Sequence, residues 1–127
     1  AEHRGTSYGL VEPAYEQARV LATVLGGGEA HYAGSVISTN LKVSGVAVFS
    51  AGDFIGGEGS HSIVLRDDRL GTYRKLVLAG DRLAGAVLVG DTRDALWYLD
   101  LIRSGRPVGS LRNDLMFGEP ADARKAA

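Results

Sequence analysis

Ala14, Ala18, Leu21, Ala22 and Leu25 recur every three or four positions, the spacing that gathers apolar residues on one face of a helix. They predict a helix over residues 14–25, introduced by Pro13, whose missing N–H costs nothing in a first turn. Glu12 and Glu16 lie near the positive end of that helix and favour it. Several of its apolar residues are small, so it should pack closely against another element. Gly26-Gly27-Gly28 stops it and marks a candidate boundary between two unlike parts of the chain. Beyond residue 40 the pattern changes. Short strands over 40–43 and 46–50 flank Ser44-Gly45, a two-residue step that resembles a tight hairpin turn. A glycine-rich loop fills 52–59, and a third strand covers 62–65. After the turn Asp67-Asp68-Arg69-Leu70-Gly71, residues 72–78 alternate, with Tyr73, Lys75 and Val77 on one face and Arg74, Leu76 and Leu78 on the other. Gly80-Asp81 marks a further hairpin turn, and 83–89 is apolar enough for a central strand. Asp91 or Thr92 can cap a second helix over 93–103, which stops at Ser104-Gly105 with Pro107 just beyond.

One helix, a glycine linker, a meander of about five strands and a closing helix define an α+β chain. Its sheet is small and mostly antiparallel, because the connections are too short for crossover helices. With 127 residues there is room for one compact domain and not comfortably two. Hydrophobic residues at 45% and charged residues at 23% are ordinary globular usage. The net charge of -1 supplies no basic field for nucleic acid or an acidic membrane. No uninterrupted apolar run is long enough to span a bilayer. Cysteine is absent, which excludes disulfides, thiolate metal sites and a cysteine nucleophile and fits a reducing cytoplasm. The 18 glycines suit a hairpin-rich sheet. Ala1-Glu2-His3-Arg4-Gly5 contains neither a starting Met nor a signal-peptide core, and the polar tail from Ala121 to Ala127 is expected to fray.

No catalytic motif stands out. His3, His31 and His61 lie far apart and share no metal-ligand spacing with carboxylates, so surface or loop roles are favoured over a metal site. Ser50-Ala51-Gly52-Asp53 ends a strand in the way many flavoproteins place an Asp beside the ribityl chain of FAD. Here a glycine-rich loop follows rather than a helix, which favours a plain turn. Gly56-Gly57-Glu58-Gly59 lacks the GK[ST] ending of a phosphate loop. Gly90-Asp91 is accounted for as a helix cap. Asp67 and Asp68 beside Arg66 and Arg69 read as a solvated turn, and Trp97 and Tyr98 as core plus rim. The most promising feature is the start of the first helix. Gly9 permits close backbone approach, and the free N–H groups and dipole there favour partial negative charge. An ordinary amphipathic helix stands against that reading.

The stretch from His3-Arg4-Gly5-Thr6-Ser7-Tyr8-Gly9-Leu10-Val11-Glu12-Pro13 to Ala18 resembles the segment after the second FAD motif in NAD(P)H nitrite reductase large subunits. Rubredoxin and ferredoxin reductases of the same pyridine nucleotide-disulfide oxidoreductase family are similar there. Tyr32-Ala33-Gly34-Ser35 and the run from Ser38 to Val46 look like the start of the family's small C-terminal domain. Residues 73–78 and 83–92 look like its last two strands, and 101–105 like its final helix. The resemblance implies three parts. Residues 1–31 are the C-terminal helix segment of an FAD-binding domain, 32–118 are the C-terminal α+β domain, and 119–127 are a flexible tail. It implies a cytoplasmic parent that takes hydride from NAD(P)H onto FAD and passes electrons onward. In that parent Gly9, Leu10 and Val11 face the flavin. The fragment itself is expected to hold no cofactor, no catalytic residue and no metal, and to be inactive alone. Its expected partners are the FAD- and NAD-binding domains of the same parent chain, with a homodimer contact as a further option and no nucleic acid or membrane. The family's dinucleotide fingerprints and iron–sulfur cysteines are missing from this stretch. The competing reading is a non-catalytic docking or dimerisation module of a flavoprotein reductase.

Overall fold

The computed structural model describes residues 2–3 and 5–120. The tail expected over 119–127 therefore lies, from residue 121 onward, outside the described residues. The chain divides into two compact units, Ala1–Ile37 and Ser38–Ala127.

In the first unit a two-stranded antiparallel ladder, β1 (Glu2–His3) with β2 (Thr6–Ser7), precedes the helix α1 (Val11–Leu25). The helix begins three residues earlier than the apolar spacing suggested. Leu10 sits at its N-cap in an extended conformation, and Pro13 occupies the first turn, where its missing donor is harmless. Gly27, at φ +83°, turns the chain out of the helix. The Gly27 N–H bonds to the Val24 carbonyl and the Gly28 N–H to the Thr23 carbonyl, a Schellman ending that glycine makes strain-free. The close packing expected for α1 is not seen. Pro13 is its only buried residue among those described, while Leu21, Val24 and Leu25 are exposed. Tyr32 organises the segment after the helix. Its ring meets those of His3 and Tyr8 edge-on. Ser35 donates a hydrogen bond to Glu16 on α1 and shares another with the Tyr32 hydroxyl.

The second unit is an antiparallel sheet of β3 (Ser38–Val43), β4 (Val46–Gly52), β5 (Ser60–Asp67), β6 (Thr72–Ala79) and β7 (Arg82–Val89), followed by α2 (Ala95–Ser104). The expected α+β architecture is therefore present. Strand order is β3-β4-β7-β6-β5. Consecutive strands are joined by hairpins, except that β4 pairs with β7 and the connection from β4 to β5 crosses the sheet. Ser44 and Gly45 both have positive φ, at 50° and 84°, as a two-residue type I′ turn requires. Asp67 accepts hydrogen bonds from the Arg69 and Leu70 N–H groups and closes the β5–β6 turn.

Two glycines make the crossing possible. The Asp53 N–H bonds to the Ala84 carbonyl, so the connection leaves Gly52 lying against β7. A side chain at Gly85 would run into the Asp53 carbonyl and the Phe54 nitrogen. Gly52, at φ +64°, leaves no room beside the Ala84 carbonyl. One sheet face carries the core. Register places Phe49 opposite Leu88, Ala51 opposite Ala86, and Leu76 between Ala86 and Ile63. The helix α2 covers this face through Tyr98, Leu99 and Leu101, all buried. The opposite face is covered at one end by the crossing connection, where Lys75 bonds to the Ile55 carbonyl. Farther along it Leu41, Val43, Val46 and Val64 stay exposed.

Candidate functional site

Arg74 lies on the core face of β6, between Leu88 of β7 and Leu65 of β5. Its side chain is only 6% exposed, and so is that of its nearest ionic partner, Asp94. One guanidinium nitrogen donates to the Tyr98 hydroxyl at 3.1 Å and to the Met116 carbonyl at 2.8 Å. The other reaches Asp94 at 3.4 Å and Asp91 at 3.8 Å. The guanidinium also stands over the Tyr98 ring, 5.7 Å from its centroid. The Tyr98 hydroxyl donates in turn to the Leu115 carbonyl at 2.6 Å. Burial pushes the Tyr98 phenol up to about 12, against the opposing pull of Arg74. Asp94 accepts from the Glu119 N–H at 3.3 Å. Its carboxylate fills the space that a side chain at Gly118 would need.

Beside this cluster opens a cleft of about 310 Å³. Arg74, Thr72, Asp67 and Asp91 form its polar lining, and Leu65, Leu70, Met116 and Phe117 its apolar lining. Asp91 is held down to about 2, foremost by its hydrogen bond from the Arg93 side chain, with burial opposing. The floor is thus a neutralised network, with the buried cation set between two carboxylates, a phenol and a main-chain carbonyl. Such an arrangement holds chain segments together, and its charges are already paired.

The helix cap expected at Asp91 or Thr92 is corrected by the structure. Helix α2 begins at Ala95, with Asp94 at the N-cap position. Asp91 instead receives both the backbone and the side-chain donors of Arg93. Asp94 turns toward Arg74, because a buried guanidinium draws a carboxylate more strongly than a helix N-terminus does. Ser50 to Asp53 form the strand end and turn, with the Asp53 carboxylate accepting from the Gly56 N–H. Asp67 and Asp68 close a solvated turn, with Arg66 paired to Asp68. Tyr98 is core and Trp97 half-buried beside it. His3 and His31, distant in sequence, meet at a second cleft of about 330 Å³ within the first unit, alongside Gln17, Leu21, Val24 and Tyr32. Nε2 of His3 is buried there without a hydrogen-bond partner. His61 stands apart on β5. Among the described residues no group of three or more histidines and carboxylates is arranged to hold a metal. Gly9, Leu10 and Val11 are exposed at the start of α1, and nothing lies within 4 Å of where a Gly9 side chain would stand.

The Arg74 network was missed in the sequence, although a signal was there. Arg74 shares its strand face with Leu76 and Leu78, and a cation in register with core leucines needs a buried partner.

A five-stranded antiparallel sheet with one covering helix and a polar clasp at its core edge defines a small α+β domain. The profile of the rubredoxin NAD+ reductase C-terminal domain matches residues 38–106, and the chain belongs to that family. It is 56% identical over 104 residues to the NAD(P)H nitrite reductase of Bacillus subtilis, covering 81% of this chain and 13% of the relative. It is 40% identical over 117 residues to the assimilatory nitrate reductase electron transfer subunit of the same organism, covering 91% of this chain and 15% of the relative. The chain thus spans only a small part of the length of these curated relatives. Among solved structures, the NADH:rubredoxin oxidoreductase of Clostridium acetobutylicum superposes with a TM-score of 0.59 over 84% of this chain and 28% of that chain. At 24% identity that likeness shows the fold alone.

Proposed function

We propose that this chain is the C-terminal part of an NAD(P)H- and FAD-dependent oxidoreductase of the nitrite reductase large-subunit branch. It supports hydride transfer from NAD(P)H to FAD and the onward passage of electrons, and it is inactive by itself. The observation that carries this reading is the identity of 56% over 104 residues with a nitrite reductase, which includes stretches outside the 38–106 family match. Residues 1–31 then belong to an FAD-binding domain and 32–118 to the C-terminal domain, in a cytoplasmic parent.

The start of α1 suits a flavin contact. Gly9 leaves open space, and Leu10 and Val11 present exposed apolar side chains at the positive end of a 15-residue helix. Bound FAD would supply the hydride-accepting ring. Leu10 and Val11 would cover part of that ring and exclude water from it. The helix end would favour negative charge on the ring's pyrimidine edge, with Glu12 in the first turn setting a limit on that effect. The exposed α1 face would be covered by the rest of the FAD-binding domain.

A titration of FAD with the 127-residue chain tests this. No change in flavin fluorescence or absorbance up to high micromolar protein is expected, together with a flavin-containing, NAD(P)H-oxidising protein when the preceding reading frame is included. Saturable one-to-one binding by the chain alone would overturn the reading of half a site, and a native start codon at Ala1 would overturn the parent. Exposed Leu41, Val43, Val46 and Val64 favour a second reading, a docking or dimerisation module, and the solution mass of a chain carrying Leu21→Lys and Leu25→Lys tests it, a remaining dimer supporting the sheet face.

A further inference from the structure

After α2 the chain forms two short 3-10 turns, Gly109–Leu111 and Leu115–Phe117. Their own backbone bonds are all local. The Leu111 N–H reaches the Val108 carbonyl, Asp114 reaches Leu111, Phe117 reaches Asp114, and Gly118 reaches Leu115. Between residues 109 and 119 only Leu115, Met116 and Gly118 are buried. What ties this segment to the sheet and helix is a set of three side chains beneath it. Arg74 donates to the Met116 carbonyl, Tyr98 donates to the Leu115 carbonyl, and Asp94 accepts from the Glu119 N–H. The root of the segment is fastened separately, by the Val108 N–H on the Asp81 carbonyl and by the bridge between Pro107 and Arg82.

We propose that residues 109–119 form a releasable strap, clasped by Arg74, Asp94 and Tyr98, that opens independently of the sheet and uncovers the Arg74 floor of the cleft. The reasoning rests on what opening would expose. A strap seated on an apolar floor leaves that floor in water when it lifts, and hydrophobic burial holds it down. Here the polar part of the floor is a guanidinium, a carboxylate and a phenol hydroxyl, all of which water solvates well, and Leu115 and Met116 are the two large buried side chains of the strap that opening exposes. Arg74 and Asp94 also remain paired with each other when the strap leaves, so neither charge is stranded. Phe117 and Leu70 form the rim of the cleft, 75% and 77% exposed, and release displaces the Phe117 side of that rim. Segments with few buried apolar groups and local backbone bonds open at the low end of the stability range.

Native-state hydrogen exchange on the unmodified chain and on Tyr98→Phe tests the strap. The substitution keeps the ring and removes the hydroxyl, whose bond to the Leu115 carbonyl is lost only from the closed strap, whereas its bond from Arg74 lies within the floor and is lost whether the strap is open or closed. The amides of Asp114, Phe117 and Gly118 should exchange about five- to tenfold faster, the effect of one lost hydrogen bond, while those of β6 and β7 are unchanged. Acceleration of strap and sheet amides by one common factor, or no acceleration in the strap, would overturn the proposal. Should Tyr98→Phe not fold, the urea dependence of exchange in the unmodified chain decides. Strap amides with little dependence beside steeply dependent β6 and β7 amides support independent opening, and equal dependence refutes it.

Discussion

Arg74 is the residue on which the C-terminal unit depends most sharply. A cation among Leu65, Leu76 and Leu88 is tolerated only because Asp94, Tyr98 and the Met116 carbonyl surround it. Removing it by Arg74→Met leaves the Asp94 carboxylate buried and uncompensated, which costs about 3–5 kcal/mol. Urea unfolding should show that loss, and Arg74→Met with Asp94→Asn should recover most of it, because neither charge is then stranded. If the double variant is as unstable as the single, the pairing is not what Arg74 contributes. Asp91 makes a smaller, pH-dependent contribution. Its carboxyl is lowered from 3.8 to about 2, first by the Arg93 side-chain hydrogen bond. A depressed acid stabilises the fold fully above its unfolded pKa and loses that effect as pH falls through the folded value. The contribution is therefore complete above about pH 4 and gone below about pH 2, and Asp91→Asn should flatten the stability–pH curve in that window. Arg93 is 82% exposed, so salt should weaken the effect.

Among the elements, the crossing connection is the most constrained. Gly85→Ala places a methyl group against the Asp53 carbonyl and Phe54 nitrogen and should cost about 1–3 kcal/mol, as overpacking does. Gly57→Ala in the same connection meets nothing within 4 Å and should be nearly neutral. Thermal unfolding of the two variants separates close approach from general loop flexibility. All five strands of the sheet were legible in the sequence, because period-two alternation and turn residues such as Ser44-Gly45 and Gly80-Asp81 are local signals. The pairing of β4 with β7 was not, since no local feature records which distant strand a half-buried strand joins. Nor was the start of α2. Asp91 and Thr92 were the caps the sequence offered, whereas Asp94 holds the N-cap position without a side-chain cap bond, its carboxylate paired with Arg74, distant in sequence. The Gly9-Leu10-Val11 assignment came from a resemblance, and its helix start lies where the sequence indicated to within a turn. The Arg74 clasp needed partners on β6, α2 and the strap, which no window of residues contains.

At the level of the whole molecule, the exposed apolar side of α1 has a direct consequence. Leu21 and Leu25, 57% and 79% exposed, lie one turn apart. The chain in solution should self-associate as concentration rises, and Leu21→Lys with Leu25→Lys should abolish that. A concentration-independent mass for the unmodified chain would show that this face is not adhesive. The strand order has a kinetic corollary. The β3–β4 hairpin and the β5–β6–β7 meander each close through short turns and can form early and apart, whereas β4 and β7 must find each other across the intervening chain. The seam between them, with Phe49 on Leu88 and Ala51 on Ala86, joins the hairpin to the meander and, as the long-range pairing, is expected to be the slow step of folding. A cut within residues 53–59 would then leave two pieces whose rejoining rate depends on their concentrations, turning an intramolecular search into a bimolecular one.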